Sequence, residues 1–373
     1  MPKEVLVDGA KEIRKKTLSA LLDYPPDGAV RKKHLKVPES KEPQDALKLL
    51  DLAIDEFNTK LADIERRYKP KNTETLLVET TQAIYKVCKV LKIVDMEFAE
   101  RPDELRKIRE EFRKRTNPLF SKGHFMNHAR TWPRGYPGDY KILEDVYRNM
   151  TVSQGLGRLL DFHFLKSTLA VAVRVRLDKM TELLKEELTN RISPRVLNIA
   201  CGSCRELLEL APEITQSGAH FTCVDYDEDA LVFASERLRN ISGNFEMRKY
   251  NGLKMINYER NVKEFGPQDV IYSMGFFDYI ADEILIKMFS ALYRLLAPGG
   301  TLITAFKDSG KYKTQEYHWF VDWSSFYQRT EKDRFLLLEK AGMPVKKISR
   351  VRDASGVILF YKIPKENEGG EEG

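Results

Sequence analysis

The chain is poor in several features that would narrow its chemistry. Its 373 residues hold four cysteines, Cys88, Cys201, Cys204 and Cys223, too few and too uneven for a disulfide framework or a zinc module. Cys201 and Cys204 stand in C-x-x-C, so a redox pair is one reading; no second pair accompanies them, which favours plain packing. No apolar run reaches the ~20 residues that span a bilayer, and the opening MPKEVLVDGAKEIRKK has no signal-peptide core. Stable membrane insertion is therefore not expected, and a cytoplasmic, reducing compartment is. Neither G-x-x-x-x-G-K-[ST] nor G-x-G-x-x-G occurs, which argues against an ATP P-loop and against the phosphate cradle of NAD or FAD. The six histidines, His34, His124, His128, His163, His220 and His318, are dispersed, and no metal site is expected. Charge of neither sign dominates: 62 Lys and Arg against 56 Asp and Glu give a net +6. Runs such as LRKIREEFRKR mix signs at helical spacing, as a solvated helix face does, so nucleic acid is not an expected partner.

What is present divides the chain. Residues 1–45 carry charge runs and Pro25, Pro26, Pro38 and Pro43, and read as an extended or loosely packed segment. From 46 to 164 the apolar residues recur at helical spacing (Leu47, Leu50, Ile54, Phe57, Leu61, Ile64, then Leu76, Leu77, Ile84, Val87, Leu91), which predicts an α-helical domain. Within it, 117–140 is rich in Gly, Pro, aromatics, His and Arg and reads as an ordered lid or pocket wall. A long helix over about 165–188 then leads into alternating strands and helices up to residue 363, closing with two adjacent strands, Val345–Val351 and Gly356–Lys362. The tail 364–373 is acidic, glycine-rich and expected to be disordered. The fold class is α/β, a Rossmann-like sheet behind an N-terminal helical domain.

The chemistry concentrates where Arg195-Val-Leu-Asn-Ile-Ala-Cys-Gly-Ser-Cys-Arg-Glu206 is followed by Val224-Asp225-Tyr226-Asp227. A buried strand, a turn at Gly202 and a helix precede a second strand ending in a carboxylate. The glycine lets a ligand approach the backbone, and an acid about 20 residues on holds a nucleoside's ribose hydroxyls. The segment resembles motif I of the class I S-adenosylmethionine-dependent methyltransferases. Asn251-Gly252, Asp269-Val-Ile-Tyr-Ser-Met-Gly275 and Leu295-Leu-Ala-Pro-Gly-Gly-Thr-Leu-Ile303 match later motifs in the right order, and the closing antiparallel pair matches that family's seven-stranded sheet. Two positions depart from its pattern: Asn198 stands where the family has an acid, and Cys204 where it has a glycine. Asn198 can still accept from the turn backbone or, through water, from the cofactor's ammonium group. With Arg134-Gly-Tyr-Pro-Gly-Asp-Tyr140, Tyr272-Ser-Met-Gly-Phe-Phe-Asp-Tyr279 and Asp322-Trp-Ser-Ser-Phe-Tyr-Gln-Arg329, the chain is similar to a bacterial group that includes fatty-acid O-methyltransferases and enzymes of 3-hydroxypalmitic acid methyl ester biosynthesis.

That resemblance implies S-adenosyl-L-methionine as cofactor, a small-molecule acceptor and a set of roles. Ala200, Cys201 and Gly202 face the methionine part, Asp225 holds the ribose, and Tyr226, Asn251 and Gly252 flank the adenine. Ser273, Met274 and Gly275 pass beside the sulfonium. Tyr136, Asp139 and Tyr140 close over cofactor or acceptor, with Asp139 a candidate for the cofactor's ammonium. Tyr140, Tyr279 and His128 are the candidate catalytic groups; Phe276, Phe277, Tyr279, Trp319, Trp323 and Tyr327 would form an apolar wall. Arg205 and Glu206 are expected to pair with each other. A carboxylate is ionised at neutral pH and needs no general base, so a fatty or hydroxy-fatty acid is the leading acceptor. Alternatives are an amine or hydroxyl of a natural product or a protein side chain, or a cofactor-binding scaffold without activity. The helical domain is a candidate homodimer surface.

Overall fold

Apolar residues every three to four positions draw the N-terminal part into helices. α1 (Pro43–Arg67) buries Ala46, Leu50, Ile54, Phe57, Leu61 and Ile64 on one stripe, and α2 (Thr73–Glu97) meets it with Leu76, Ile84, Val87 and Leu91. A proline-led turn at Pro70–Asn72 joins them. α3 (Pro102–Phe120) begins with Pro102 and the acids Asp103 and Glu104, which suit the unsatisfied N–H groups and positive end of a helix. A computed structural model describes residues 43–323 and 325–367. The expected loose segment 1–45 lies outside the described residues except for Pro43–Asp45, which open α1; the tail lies outside them from residue 368.

Residues 117–140 are more helical than their composition suggested. α3 continues through Pro118, near its end, to Phe120, and α4 (His124–Thr131) follows Gly123. Irregular chain is confined to 121–123 and 132–139, where Trp132 takes a left-handed φ of 45°. Asp139 then caps α5 (Tyr140–Arg148), accepting from Lys141 N at 2.9 Å and Ile142 N at 3.2 Å, which satisfies donors that a helix start leaves open. The single helix expected over 165–188 is two, α6 (Gly155–Leu165) and α7 (Thr168–Thr189), parted where Ser167 turns extended.

Beyond α7 the chain alternates strand and helix: β1 (Arg195–Ile199), α8 (Arg205–Glu209), α9 (Ala211–Ser217), β2 (His220–Asp225), α10 (Glu228–Leu238), β3 (Asn244–Lys249), α11 (Tyr258–Phe265), β4 (Gln268–Ser273), α12 (Asp282–Leu295), β5 (Leu296–Lys307), α13 (Glu331–Lys340), β6 (Ser349–Arg352) and β7 (Ile358–Pro364). The seven strands form one sheet in the order β3-β2-β1-β4-β5-β7-β6. β1 to β5 are parallel, and β7 runs antiparallel to both β5 and β6. The final hairpin is shorter than its sequence suggested: Val345–Lys347 form a 3-10 turn and pairing starts at Ser349. Central β1 and β4 are covered on both faces, which explains their near-continuous apolar runs.

Placement of two aromatics corrects the expected acceptor wall. Trp319 and Phe320 sit on a wide turn, Glu316–Phe320, that inserts into the helical core. The Trp319 indole donates to Asp95 at 2.9 Å and its ring meets Phe112 edge-on. Phe277 is fully buried under the sheet between Phe289 and Phe306. Both side chains are core.

Candidate functional site

The parallel strands wind outward from β1 to β2 and β3, then jump back to β4 on the other side of β1. Loops leaving β1 and β4 therefore diverge and open a crevice at the carboxyl ends of the strands, the usual ligand edge of such sheets. The turn after β1 is sharply wound, with Ala200, Gly202 and Cys204 all left-handed at φ 53°, 52° and 48°. Only glycine adopts that geometry without cost, so two of these three positions store strain that surrounding contacts must hold.

Asp225 supplies the main restraint. Its Oδ2 accepts from Gly202 N at 2.8 Å and its Oδ1 from Asp227 N at 2.9 Å. Each carboxylate oxygen keeps a second lone pair, enough for a pair of vicinal hydroxyls. Burial pushes the Asp225 carboxyl above its usual range.

The lid closes over this corner. The Arg134 guanidinium forks onto both oxygens of Asp227 and reaches Asp229 at 2.8 Å. Tyr136 donates its hydroxyl to Asp227 at 2.8 Å. Burial pushes Asp227 up, but the bonds from Arg134 and Tyr136 outweigh it and leave the carboxyl below its ordinary value. Tyr140 packs its Cβ 4.0 Å from the position a Cβ on Gly202 would take, and the Tyr279 hydroxyl lies 3.1 Å from the corresponding point on Gly138. His128 and Asp139 sit together, Nε2 to Oδ2 at 2.7 Å. With Asp139 buried and capping α5, its carboxylate is turned toward the protein rather than toward a ligand's ammonium.

Asn251 caps the short helix Gly252–Ile256, accepting from Leu253 N at 2.9 Å. A Cβ on Gly252 would lie 2.7 Å from the Phe276 ring, so Phe276 packs against the Asn251–Gly252 turn, away from the acceptor wall expected for it. Tyr226 is 71% exposed. Ser273 is buried with an unpartnered Oγ, and Met274 and Gly275 follow it at the end of β4. Asp278 fixes the next turn: its Oδ2 accepts from Lys307 Nζ at 2.8 Å and its Oδ1 from Arg334 Nη1 at 3.2 Å. This holds Tyr279 at the edge, with its phenol pushed up to about 12 by burial. Trp323 packs partly buried against the helical core and Tyr327 is exposed.

The pairing expected between Arg205 and Glu206 does not form. Arg205 reaches Glu144 at 2.9 Å. Glu144, on α5, also accepts from Ser203 Oγ at 2.7 Å and from both terminal nitrogens of Arg237 at 2.7 Å, tying the turn to α5 and α10. Glu206 points inward, where its Oε1 accepts from Asn198 Nδ2 at 2.9 Å and the Tyr272 hydroxyl at 2.7 Å. Asn198 thus donates into the core instead of accepting from turn or ligand. Burial, then the neighbouring Cys204, raises Glu206 to about 8. Cys201, Cys204 and Cys223 are buried beneath the turn and form no disulfide.

Sequence reasoning passed over Asp227, Glu144 and Arg176. The D-x-D at 225–227 before a helix was a readable capping signal for Asp227. Glu144 carried none, since its partners come from two other segments, the turn at 203–205 and α10. Arg176 interrupts a run of buried residues, Ala172, Val173, Val175 and Leu177, on α7. Two surface clefts, of 530 and 390 Å³, lie away from this edge, along α13 and between α11 and α12.

With that geometry in place, residues 197–302 match the family model of a methyltransferase domain. Those residues carry a methyltransferase domain. The match spans β1 to β5 and so contains the Gly202 turn, Asp225 and Gly275. Demethylmenaquinone methyltransferases from two Leptospira interrogans strains are 29% identical to the chain over 147 residues, 38% of it and 55% of each relative. The chain therefore spans about half the length of the curated relatives it matches. A possible exported protein from Bordetella parapertussis superposes with a TM-score of 0.50 at 15% identity, covering 88% of this chain and 100% of that one, a likeness of fold alone. The S-adenosyl-L-methionine expected from the sequence fits this edge. Asp225 offers free lone pairs where the ribose is expected, and the Ser273 Oγ still lacks a partner. Among the described residues no helix is long and apolar enough to cross a membrane, and no cluster of metal-ligating side chains occurs.

Proposed function

We propose that the domain is an active methyltransferase that O-methylates the carboxylate of a small molecule, with a fatty or hydroxy-fatty acid as the leading acceptor. The reading is supported by the phenols around this edge, which burial makes poor bases. Tyr136, Tyr140 and Tyr279 are all pushed above the ordinary phenol range, by burial first in each case. Such groups orient an acceptor but do not deprotonate one at neutral pH, which suits a nucleophile that arrives ionised.

The bound cofactor supplies an electrophilic methyl group on a sulfonium. An acceptor carboxylate oxygen forms the new O–C bond as the S–C bond breaks and its electron pair passes to sulfur; the products are a methyl ester and S-adenosylhomocysteine, and no proton moves. The protein's share is alignment and exclusion of water. Asp225 and the Gly202 backbone fix the nucleoside, and the lid, held by Arg134 and Tyr136 on Asp227, covers it. Met274, Tyr279 and Phe326 border an apolar approach.

A second reading rests on His128, whose Nε2 bonds Asp139 at 2.7 Å. An imidazole oriented by a carboxylate is a general-base arrangement and suits a hydroxyl or amine acceptor. Incubation with methyl-labelled cofactor and a panel of fatty acids, phenols and amines separates the two. Base-labile label on acids, retained in His128→Gln, supports the ester; base-stable label lost in that variant supports the second reading. Tight cofactor binding without transfer to any compound would leave a scaffold.

A further inference from the structure

Among the described residues, Arg176 is a basic side chain at this edge whose charge the fold leaves without an ion-pair partner. It lies two turns into α7 between Val175 and Leu177, both buried, and is 4% exposed. The contrast with its surroundings is sharp. Lys307 has Asp278, Arg334 has Asp278, Arg205 and Arg237 share Glu144, and Arg134 has Asp227. Arg176 has no carboxylate within ion-pair distance among the described residues, and its Nε, fully covered, has no hydrogen-bond partner. Its neighbours are the Tyr147 hydroxyl, with which it hydrogen-bonds, and the more distant Tyr279, Lys307 and Asp353. Asp353 is committed elsewhere, accepting from Ser355 Oγ at 2.7 and 2.9 Å and from Ile358 N at 3.1 Å. Lys307 adds positive charge.

A buried guanidinium without a counter-ion is strongly unfavourable unless something outside the fold completes it. Its position says where that something sits. Nη1 lies 2.7 Å from the point a Cβ on Gly275 would occupy, so the fork stands against the bare backbone at the end of β4. Arginine's planar fork matches a carboxylate through two parallel bonds.

We infer that Arg176 is a carboxylate-binding residue of the transfer cleft, its guanidinium completing an anion site against Gly275. Two molecules can bring that carboxylate: the acceptor, a source that rests on the proposed function, or the methionine end of the cofactor, which does not.

Calorimetry on the full chain tests it, using Arg176→Met and Arg176→Lys with S-adenosylhomocysteine, with 5′-methylthioadenosine (the same thionucleoside without the amino-acid end that bears the carboxylate), and with decanoate and decanamide on cofactor-product-saturated protein. Removing charge-assisted bonds of this kind weakens binding roughly 10- to 100-fold. If the cofactor carries the carboxylate, Arg176→Met loses S-adenosylhomocysteine by that factor and keeps 5′-methylthioadenosine. If the acceptor carries it, S-adenosylhomocysteine is kept while decanoate is lost and decanamide is not. Lysine, which keeps charge but not the fork, recovers part of either loss, and it also carries the test should the methionine variant fail to fold. The inference is overturned if neither carboxylate ligand loses more than twofold, or if ligands with and without the carboxylate fall by the same factor. Failure of decanoate to bind the native protein counts against the acceptor class alone, since the S-adenosylhomocysteine comparison still decides the role of Arg176.

Discussion

Glu206→Gln isolates a buried ionisation beneath the Gly202 turn. In the native chain Glu206 is fully buried, both of its hydrogen bonds reach Oε1, and Oε2 has no partner. Burial first, and the nearby Cys204 second, lift the carboxyl from 4.5 to about 8. A carboxyl that holds its proton more tightly when folded than when unfolded stabilises the fold fully below pH 4.5, and that contribution is lost as pH rises through about 8. At about 1.4 kcal/mol per pKa unit, the gap corresponds to on the order of 5 kcal/mol across that window. Glutamine keeps the Oε1 acceptor and removes the titration, at the cost of an N–H₂ group without a partner, about 1–3 kcal/mol. The variant should therefore be equal to or less stable than the native chain at pH 5 and more stable at pH 9. Thermal melts of both proteins from pH 5 to pH 9 measure this, and the difference in melting temperature should swing by roughly 5 °C in favour of glutamine. Parallel curves would refute the assignment of a proton-bearing carboxyl under the turn.

Asp225→Ala removes the acceptor for Gly202 N and Asp227 N together with the ribose position; with two charge-assisted bonds lost, S-adenosylhomocysteine affinity should fall by roughly 100-fold or more, and unchanged affinity in calorimetry would mean the nucleoside lies elsewhere. Glu144→Ala leaves Arg205 and Arg237 unneutralised in a largely buried site, so denaturant unfolding should show a loss of about 3–5 kcal/mol. A loss below about 1 kcal/mol would show that water takes over the role of the carboxylate.

The fold was readable because its signals are local and periodic. Apolar residues at helical spacing over Ala46–Leu91 determine α1 and α2 whatever they pack against, and the apolar strands with glycine turns at 202 and 299–300 specify a parallel sheet. Asp225 was legible for the same reason: strand end, turn and acid follow one another at fixed spacing, and the backbone N–H of Gly202 then finds the carboxylate. Element boundaries were less so, as the helical run through Pro118 and the break at Lys166–Ser167 show, because end geometry depends on neighbours the local pattern does not contain.

What tertiary structure alone decided is which charged groups face inward and whom they meet. Arg205 and Glu206 are adjacent in sequence, yet on a helix adjacent side chains point apart, and packing sent one to Glu144 and the other to Asn198 and Tyr272. Trp319 joined the helical core rather than the transfer edge because its wide turn inserts there. The sequence by itself determined the sheet, the turn after β1 and the acid at the tip of β2, all of which rest on residues near one another along the chain. Only the fold decided that Asp227 fastens the lid, that Glu144 joins three segments and that Arg176 is left without a counter-ion, because burial and charge pairing between distant residues have no trace in local spacing.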